Sequence, residues 1–169
     1  MTFIWQYFIH LRYLPPEIIT IIISMLPIAE LRVSLPLAIS SLGLSWWQAY
    51  FFSVLGNFIP VYFILRFIGP VSNWLSNHFK LFRKFFAWLF ERTRRKLTKN
   101  YQLYGLWALA LFVAIPLPVT GAWTGALAAW LFGLDWKKSI FFILLGIMLA
   151  GVIVTLITTG VLEFSSWLV

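Results

Sequence analysis

Hydrophobic residues fill this chain in runs, and the runs come in two lengths. Residues 46–68, WWQAYFFSVLGNFIPVYFILRFI, and 139–162, SIFFILLGIMLAGVIVTLITTGVL, are long enough to cross a bilayer, which takes about 20 apolar residues. Other runs are half that length. Ile18 to Ala29 holds 12 uncharged residues, which at helical rise cover about 18 Å of a ~30 Å hydrocarbon core. After Pro27, Glu30 and Arg32 comes a second short run, Leu35 to Leu44, with Pro36 near its start. LYGLWALALFVAI and AWTGALAAWLFGL form another short pair, broken by PLPVTG. Prolines remove backbone donors and glycine tolerates turn geometry, so both breaks are sharp. Each short pair therefore predicts a re-entrant helical hairpin, and each is followed by a span. Pro15, Pro16 and Glu17 suit the start of the first helix. Thr120 is placed to cap the second helix of the second hairpin. Asn57 and Pro60 fall inside the first span, where Asn57 is expected to bond a neighbouring helix.

The pattern changes between the two halves. In NWLSNHFKLFRKFFAWLFERTRRKLTKN, Leu75, Phe79, Phe82, Phe86 and Leu89 form one helical stripe, with Lys80, Lys84 and Glu91 opposite. This predicts an amphipathic helix in the membrane interface with a basic tail, Arg92, Arg94, Arg95 and Lys96, facing lipid. The first residues, MTFIWQYFIHLRYL, predict a second interfacial helix with Phe3, Tyr7 and Leu11 one turn apart.

A shift of 90 residues lays LAISSLGLSWWQAYFFSVLG (37–56) over LAAWLFGLDWKKSIFFILLG (127–146), with nine of 20 positions identical. The chain thus reads as two copies of a hairpin-plus-span unit, about 15–69 and 103–163, joined by the linker 70–102, within one integral membrane domain over 1–169. A hairpin returns to the side it entered from, while a span crosses. The second copy is then inverted relative to the first. In that scheme Arg66, the basic linker and Lys137-Lys138 all face the cytoplasm, as basic loops prefer. Inverted repeats with broken helices are typical of secondary transporters.

Composition agrees with a lipid solvent: 62% of residues are hydrophobic, 11% are charged and the mean hydropathy is +0.90. The net charge of +8 is concentrated, with eight of the 13 basic residues between Lys80 and Lys99. That distribution points to anionic lipid rather than nucleic acid. The absence of cysteine excludes disulfides, thiol nucleophiles and thiolate metal sites. His10 and His78 stand apart from acids. No Ser-His, paired-Asp or metal-ligand constellation calls for an enzyme, a metal or a cofactor.

Glu30 and Arg32 remain to be explained. A charge at the centre of a membrane helix costs about 3 kcal/mol or more. At a hairpin tip the two could line a protein-walled cavity, with helix starts near Leu35 and Gly121 aiming positive dipole ends into it. Arg32 and those dipoles suit an anionic headgroup or phosphate, and Glu30 suits proton exchange. The alternative is a structural pair holding the tip together.

PIAELRVSLPLAI and FVAIPLPVTGAWTGALAAWLFGLDWKKS resemble the signatures of the small multidrug export protein family of prokaryotes. Glu30, Arg32 and Pro36 match its first motif, with Val33 in place of a glycine; Pro116, Pro118, Thr120, Gly121, Ala122 and Trp123 match its second, with Val119 in place of a glycine. The repeat also resembles the broader DedA-type membrane proteins. The resemblance implies an all-α protein of a prokaryotic plasma membrane. It implies a transporter or flippase driven by protons, moving an amphipathic molecule or a lipid-phosphate, with those motif residues at the transport site. Membrane lipids and an amphipathic substrate are the expected partners, and so small a chain is expected to work as a homo-oligomer. The competing expectation is a non-transporting scaffold that works through its aromatic helix and basic tail.

Overall fold

The computed structural model describes residues 14–94, 101–116 and 120–167. The helix expected around Phe3, Tyr7 and Leu11 lies outside these residues, as do Arg95, Lys96 and Pro118. Every element among the described residues is an α-helix: α1 (Pro16–Met25), α2 (Glu30–Ser40), α3 (Trp46–His78), α4 (Lys80–Arg94), α5 (Tyr101–Ala114), α6 (Ala122–Leu131) and α7 (Trp136–Trp167).

Local chemistry sets these boundaries. Pro15 caps α1, and its carbonyl accepts the Ile18 and Ile19 amides. Leu26 precedes a proline, is held extended at ψ 135°, and ends the helix. The second helix of the hairpin begins earlier than the sequence predicts. It starts at Glu30, not near Leu35, so Glu30 and Arg32 occupy its first turn and Pro36 lies inside it. The turn is thus only Leu26 to Ala29, and the Arg32 carbonyl forgoes its intrahelical donor because Pro36 has no N–H.

Only α3 and α7 are long and apolar enough to cross a membrane among the described residues. α3 has 33 residues and runs through Pro70 to His78, taking in the start of the expected linker. α1, with 10 residues, and α2, with 11, each cover about half a hydrocarbon core.

The chain divides into two compact units: residues up to Asn57 together with those from Gly151, and residues Phe58 to Ala150. In the first unit α1 packs on α2, and the beginning of α3 packs on both. Gly56 makes this approach close, since a Cβ there would lie 2.5 Å from the Ile21 carbonyl oxygen. In the second unit α5 packs on α6 and α4 on α6. Phe86 meets Trp130 edge-on at 5.9 Å. Of the expected stripe, Phe82 lies 6.0 Å from Phe79 and 6.2 Å from Phe86, Leu75 falls on α3, and the Leu89 side chain lies outside the described residues. Gly146 brings α7 against α5, where a Cβ would lie 2.6 Å from the Ala110 carbonyl oxygen. Small residues filling such interfaces, among them Ala38, Ala49, Ala110, Ala126 and Ala129, are buried. Phe51, Phe63, Phe67 and Leu156 point outward. Small inside and large apolar outside is how membrane helices associate.

The parts recur at the 90-residue spacing. Gly43 and Gly133 end α2 and α6 with φ 70° and 68°. Trp46 and Trp136 begin the long helices. Gly56 and Gly146 are the glycines that meet the first helix of each hairpin.

Gly56→Ala and Gly146→Ala should each cost about 1–3 kcal/mol by overpacking against backbone, read as reversible unfolding in mixed detergent micelles. Gly69→Ala and Gly160→Ala, where a Cβ meets nothing within 4 Å, should leave stability unchanged or raise it slightly.

Candidate functional site

Leu26 must be followed by a reversal within four residues, and the strain of that reversal settles on Glu30. Its φ is +49°, and no other non-glycine among the described residues has positive φ. A left-handed backbone costs a side-chain-bearing residue about 1 kcal/mol, and such strain concentrates at working sites. The Glu30 amide closes the turn by donating to the Leu26 carbonyl at 3.0 Å.

Glu30 is 6% exposed. Arg32 Nη2 lies 3.9 Å from Glu30 Oε2, with the Arg32 side chain 22% exposed. The two charges therefore sit together at the head of α2, one sealed and one reaching outward. Val33 is helical and half exposed, so this position needs no glycine.

One turn beyond Glu30, on the same face, is Ser34. Its Oγ donates to Ser53 Oγ at 2.9 Å. Ser24 Oγ donates to the Ser53 carbonyl at 2.5 Å, and Thr20 Oγ1 to the Pro16 carbonyl at 2.8 Å. All four hydroxyl residues are fully buried. Asn57, one turn beyond Ser53, is 1% exposed, and its Oδ1 has no hydrogen-bond donor among the described residues. A buried acceptor without a donor costs about 1–3 kcal/mol. This row of hydroxyls was missed in the sequence reading. Its signal was present, as small polar residues one turn apart at Thr20 and Ser24 and at Ser53 and Asn57.

In the second unit, Pro116 and Thr120 border the break and Trp123 lies half-buried in the first turn of α6. Thr120 does not cap α6. Gly121 takes the N-cap position at φ 152°, ψ −171°, with no side-chain cap bond. The Thr120 hydroxyl instead donates to the Ile115 carbonyl at 2.9 Å, which ties the break to the end of α5. Gly121 can adopt that φ and a threonine cannot, so the cap falls one residue later than predicted.

On α4, Lys80, Arg83 and Lys84 are exposed, and Arg83 Nε donates to the Ser76 carbonyl at 3.1 Å. Arg92 and Arg94 belong to its last helical turns. No group of three His, Asp or Glu able to hold a metal exists among the described residues.

Two long apolar helices, two pairs of short ones and a buried carboxylate beside a guanidinium define a helical membrane protein. The chain belongs to the family described as "Putative small multi-drug export protein", which matches residues 30–153. Its match begins at Glu30. No curated protein and no solved structure matches the chain.

A double-mutant cycle over Glu30→Ala and Arg32→Ala should give a coupling of about 0.5–3 kcal/mol in detergent unfolding. Additive single effects would show that the two charges do not act together.

Proposed function

We propose that this protein is a secondary transporter of the prokaryotic plasma membrane, coupled to protons and moving an amphipathic molecule outward. The observation that carries the reading is Glu30, a carboxylate buried in apolar protein, on a left-handed backbone, beside Arg32. Keeping an acid at that position costs stability twice, through burial and through backbone strain.

In this reading α1–α2 and α5–α6 are re-entrant hairpins, and α3 and α7 cross the membrane. The two copies are inverted, with residues 70–102 on the cytoplasmic side. The recurrence of Gly43, Trp46 and Gly56 as Gly133, Trp136 and Gly146 supports it. Glu30 takes and gives the proton. Deprotonated, it neutralises Arg32; protonated, it leaves the head of α2 with one uncompensated positive charge. That change in net charge alternates the preference of the site for substrate and for proton. Asn57 Oδ1 offers an acceptor to a donor group on the substrate or to a water. Pro36, inside α2, belongs to the first break. Pro116, Pro118, Thr120, Gly121 and Trp123 shape the second break.

The family's name supports export of small molecules. A lipid-phosphate is the weaker substrate choice, because Arg32 already faces a carboxylate at 3.9 Å.

Proteoliposomes loaded with a fluorescent amphiphilic cation and given a pH gradient test this reading. Glu30→Gln should slow gradient-driven movement at least tenfold, and Arg32→Ala should impair it, with Ser40→Ala at the wild-type rate. Wild-type rates in both charge variants would place the function elsewhere. The scaffold reading would then hold, with the exposed Leu81, Phe85 and Trp88 of α4 as the working surface.

A further inference from the structure

Apart from the Glu30 pair, the second unit gathers cations on one exposed ring. Arg66 of α3 holds its Cζ 5.8 Å from the centroid of the Trp136 ring, and Lys137 of α7 holds its Nζ 5.7 Å from the ring centre. Lys138 follows on α7, and all these side chains are exposed. We propose that Arg66, Trp136 and Lys137 form a binding site for the phosphate of an anionic phospholipid headgroup, held as a resident lipid and not moved as cargo.

Two like charges approach one indole, and the ring neutralises neither. A cation–π contact at an exposed site is weak and leaves the full charge in place. Neither Arg66 nor Lys137 pairs with a carboxylate among the described residues. Asp135, the nearest acid in sequence, accepts the Lys138 amide at 2.9 Å and so caps the start of α7. The surrounding charge has one dominant sign. Residues 58–150, which make up this unit, hold 11 of the 13 basic residues but two of the five acids, Glu91 and Asp135. The potential there favours an anion. A phosphate suits the donors on offer. A guanidinium binds it through two N–H groups and an ammonium as a point charge, and the Trp136 indole N–H is a further donor.

Packing does not require these charges. Ninety residues earlier the first copy keeps the tryptophan as Trp46, but Trp47 and Gln48 stand where Lys137 and Lys138 would be; ninety residues after Arg66 stands Leu156. The same positions thus do without cations in the other copy. The surroundings point to lipid as the source of the phosphate. Arg66 lies near the end of the apolar run 46–68, and Lys137 and Lys138 directly precede the run 139–162. Both places are where the hydrocarbon of a bilayer crossed by α3 and α7 gives way to headgroups. Phe67 and Phe141, next along α3 and α7, are 50% and 58% exposed, and offer apolar surface to acyl chains. A free phosphate would leave that surface unused.

The inference shares with the transport reading only the crossing of the membrane by α3 and α7. It is tested as equilibrium binding, so the two can fail separately. Native mass spectrometry of the purified full-length protein in detergent counts lipids bound during titration with phosphatidylglycerol or phosphatidylcholine. A first phosphatidylglycerol is expected to bind saturably, about tenfold tighter than phosphatidylcholine. Arg66→Gln and Lys137→Gln should each weaken it about fivefold, and the two together should abolish the preference. Arg66→Lys should retain most of it. Trp136→Leu, which keeps every charge, should weaken it, and Trp136→Phe should restore part of the loss. Lys80→Gln with Lys84→Gln, which removes two exposed charges from α4 of the same unit, should leave it unchanged. Size-exclusion profiles identical to wild type identify variants that remain folded. Four outcomes overturn the proposal. They are equal affinity for the two lipids, an undiminished preference in the Arg66→Gln and Lys137→Gln double variant, an equal loss in the α4 variant, which would mean a diffuse field, and displacement of the lipid by glycerol phosphate at equal concentration, which would mean a site for free phosphate.

Discussion

A helix of ten residues cannot cross a bilayer, and its ends cannot be left in hydrocarbon. Unpaired backbone amides and carbonyls would cost several kcal/mol each. That constraint governs the rest of this protein. α1 stops at Met25 and α2 starts at Glu30, so four residues make their shared turn. The Leu26 and Glu30 amides are satisfied inside the turn itself. α3 packs on α1 at Ile21 and Ser24, and it comes close only because residue 56 is a glycine. Gly146 does the same work for α5 in the second unit. Short helices, internally bonded turns and small residues at the contacts thus belong to one solution.

The same backbone parts carry different chemistry in the two units. Ser24, Ser34 and Ser53 join their hydroxyls in the first. Ninety residues later stand Ala114, Thr124 and Ile143. Ile143 is fully buried, and the Thr124 hydroxyl turns to the Gly121 carbonyl of its own helix. Buried polar groups therefore gather where the buried carboxylate also lies. The second unit buries two hydroxyls: Ser72 donates to the Gly69 carbonyl at 2.8 Å, while Ser139 has no partner among the described residues, and nothing in the structure explains it. A repeat that keeps its packing while one copy acquires polar side chains has separated scaffold from chemistry.

Much of the architecture was legible in the sequence. The lengths of the apolar runs predicted which helices are long and which are short, because length and hydropathy are properties of the run itself. Proline and glycine marked the breaks for the same local reason. Two details were not legible. The start of α2 falls at Glu30 because that residue accepts a left-handed φ, which no propensity predicts for glutamate. The α6 cap falls on Gly121 because the Thr120 side chain finds the Ile115 carbonyl instead. Both depend on how the chain closes a turn in three dimensions. The hydroxyl row was half legible: the spacing was visible, but the partnership across helices was not.

The central claim is that α1 and α2 turn back inside the membrane. The chain has no cysteine, so single cysteines report cleanly on a membrane-impermeant thiol reagent. The most direct measurement places one at Ile28, which is 95% exposed in the turn, and one at Lys137, at the start of α7. Labelling is then compared in intact cells and in inside-out vesicles. The account predicts that Lys137→Cys reacts only from the cytoplasmic face and that Ile28→Cys does not react from that face. Reaction of Ile28→Cys from the cytoplasmic face, as fast as Lys137→Cys, would mean that α1 and α2 each cross. The hairpin account would then be wrong.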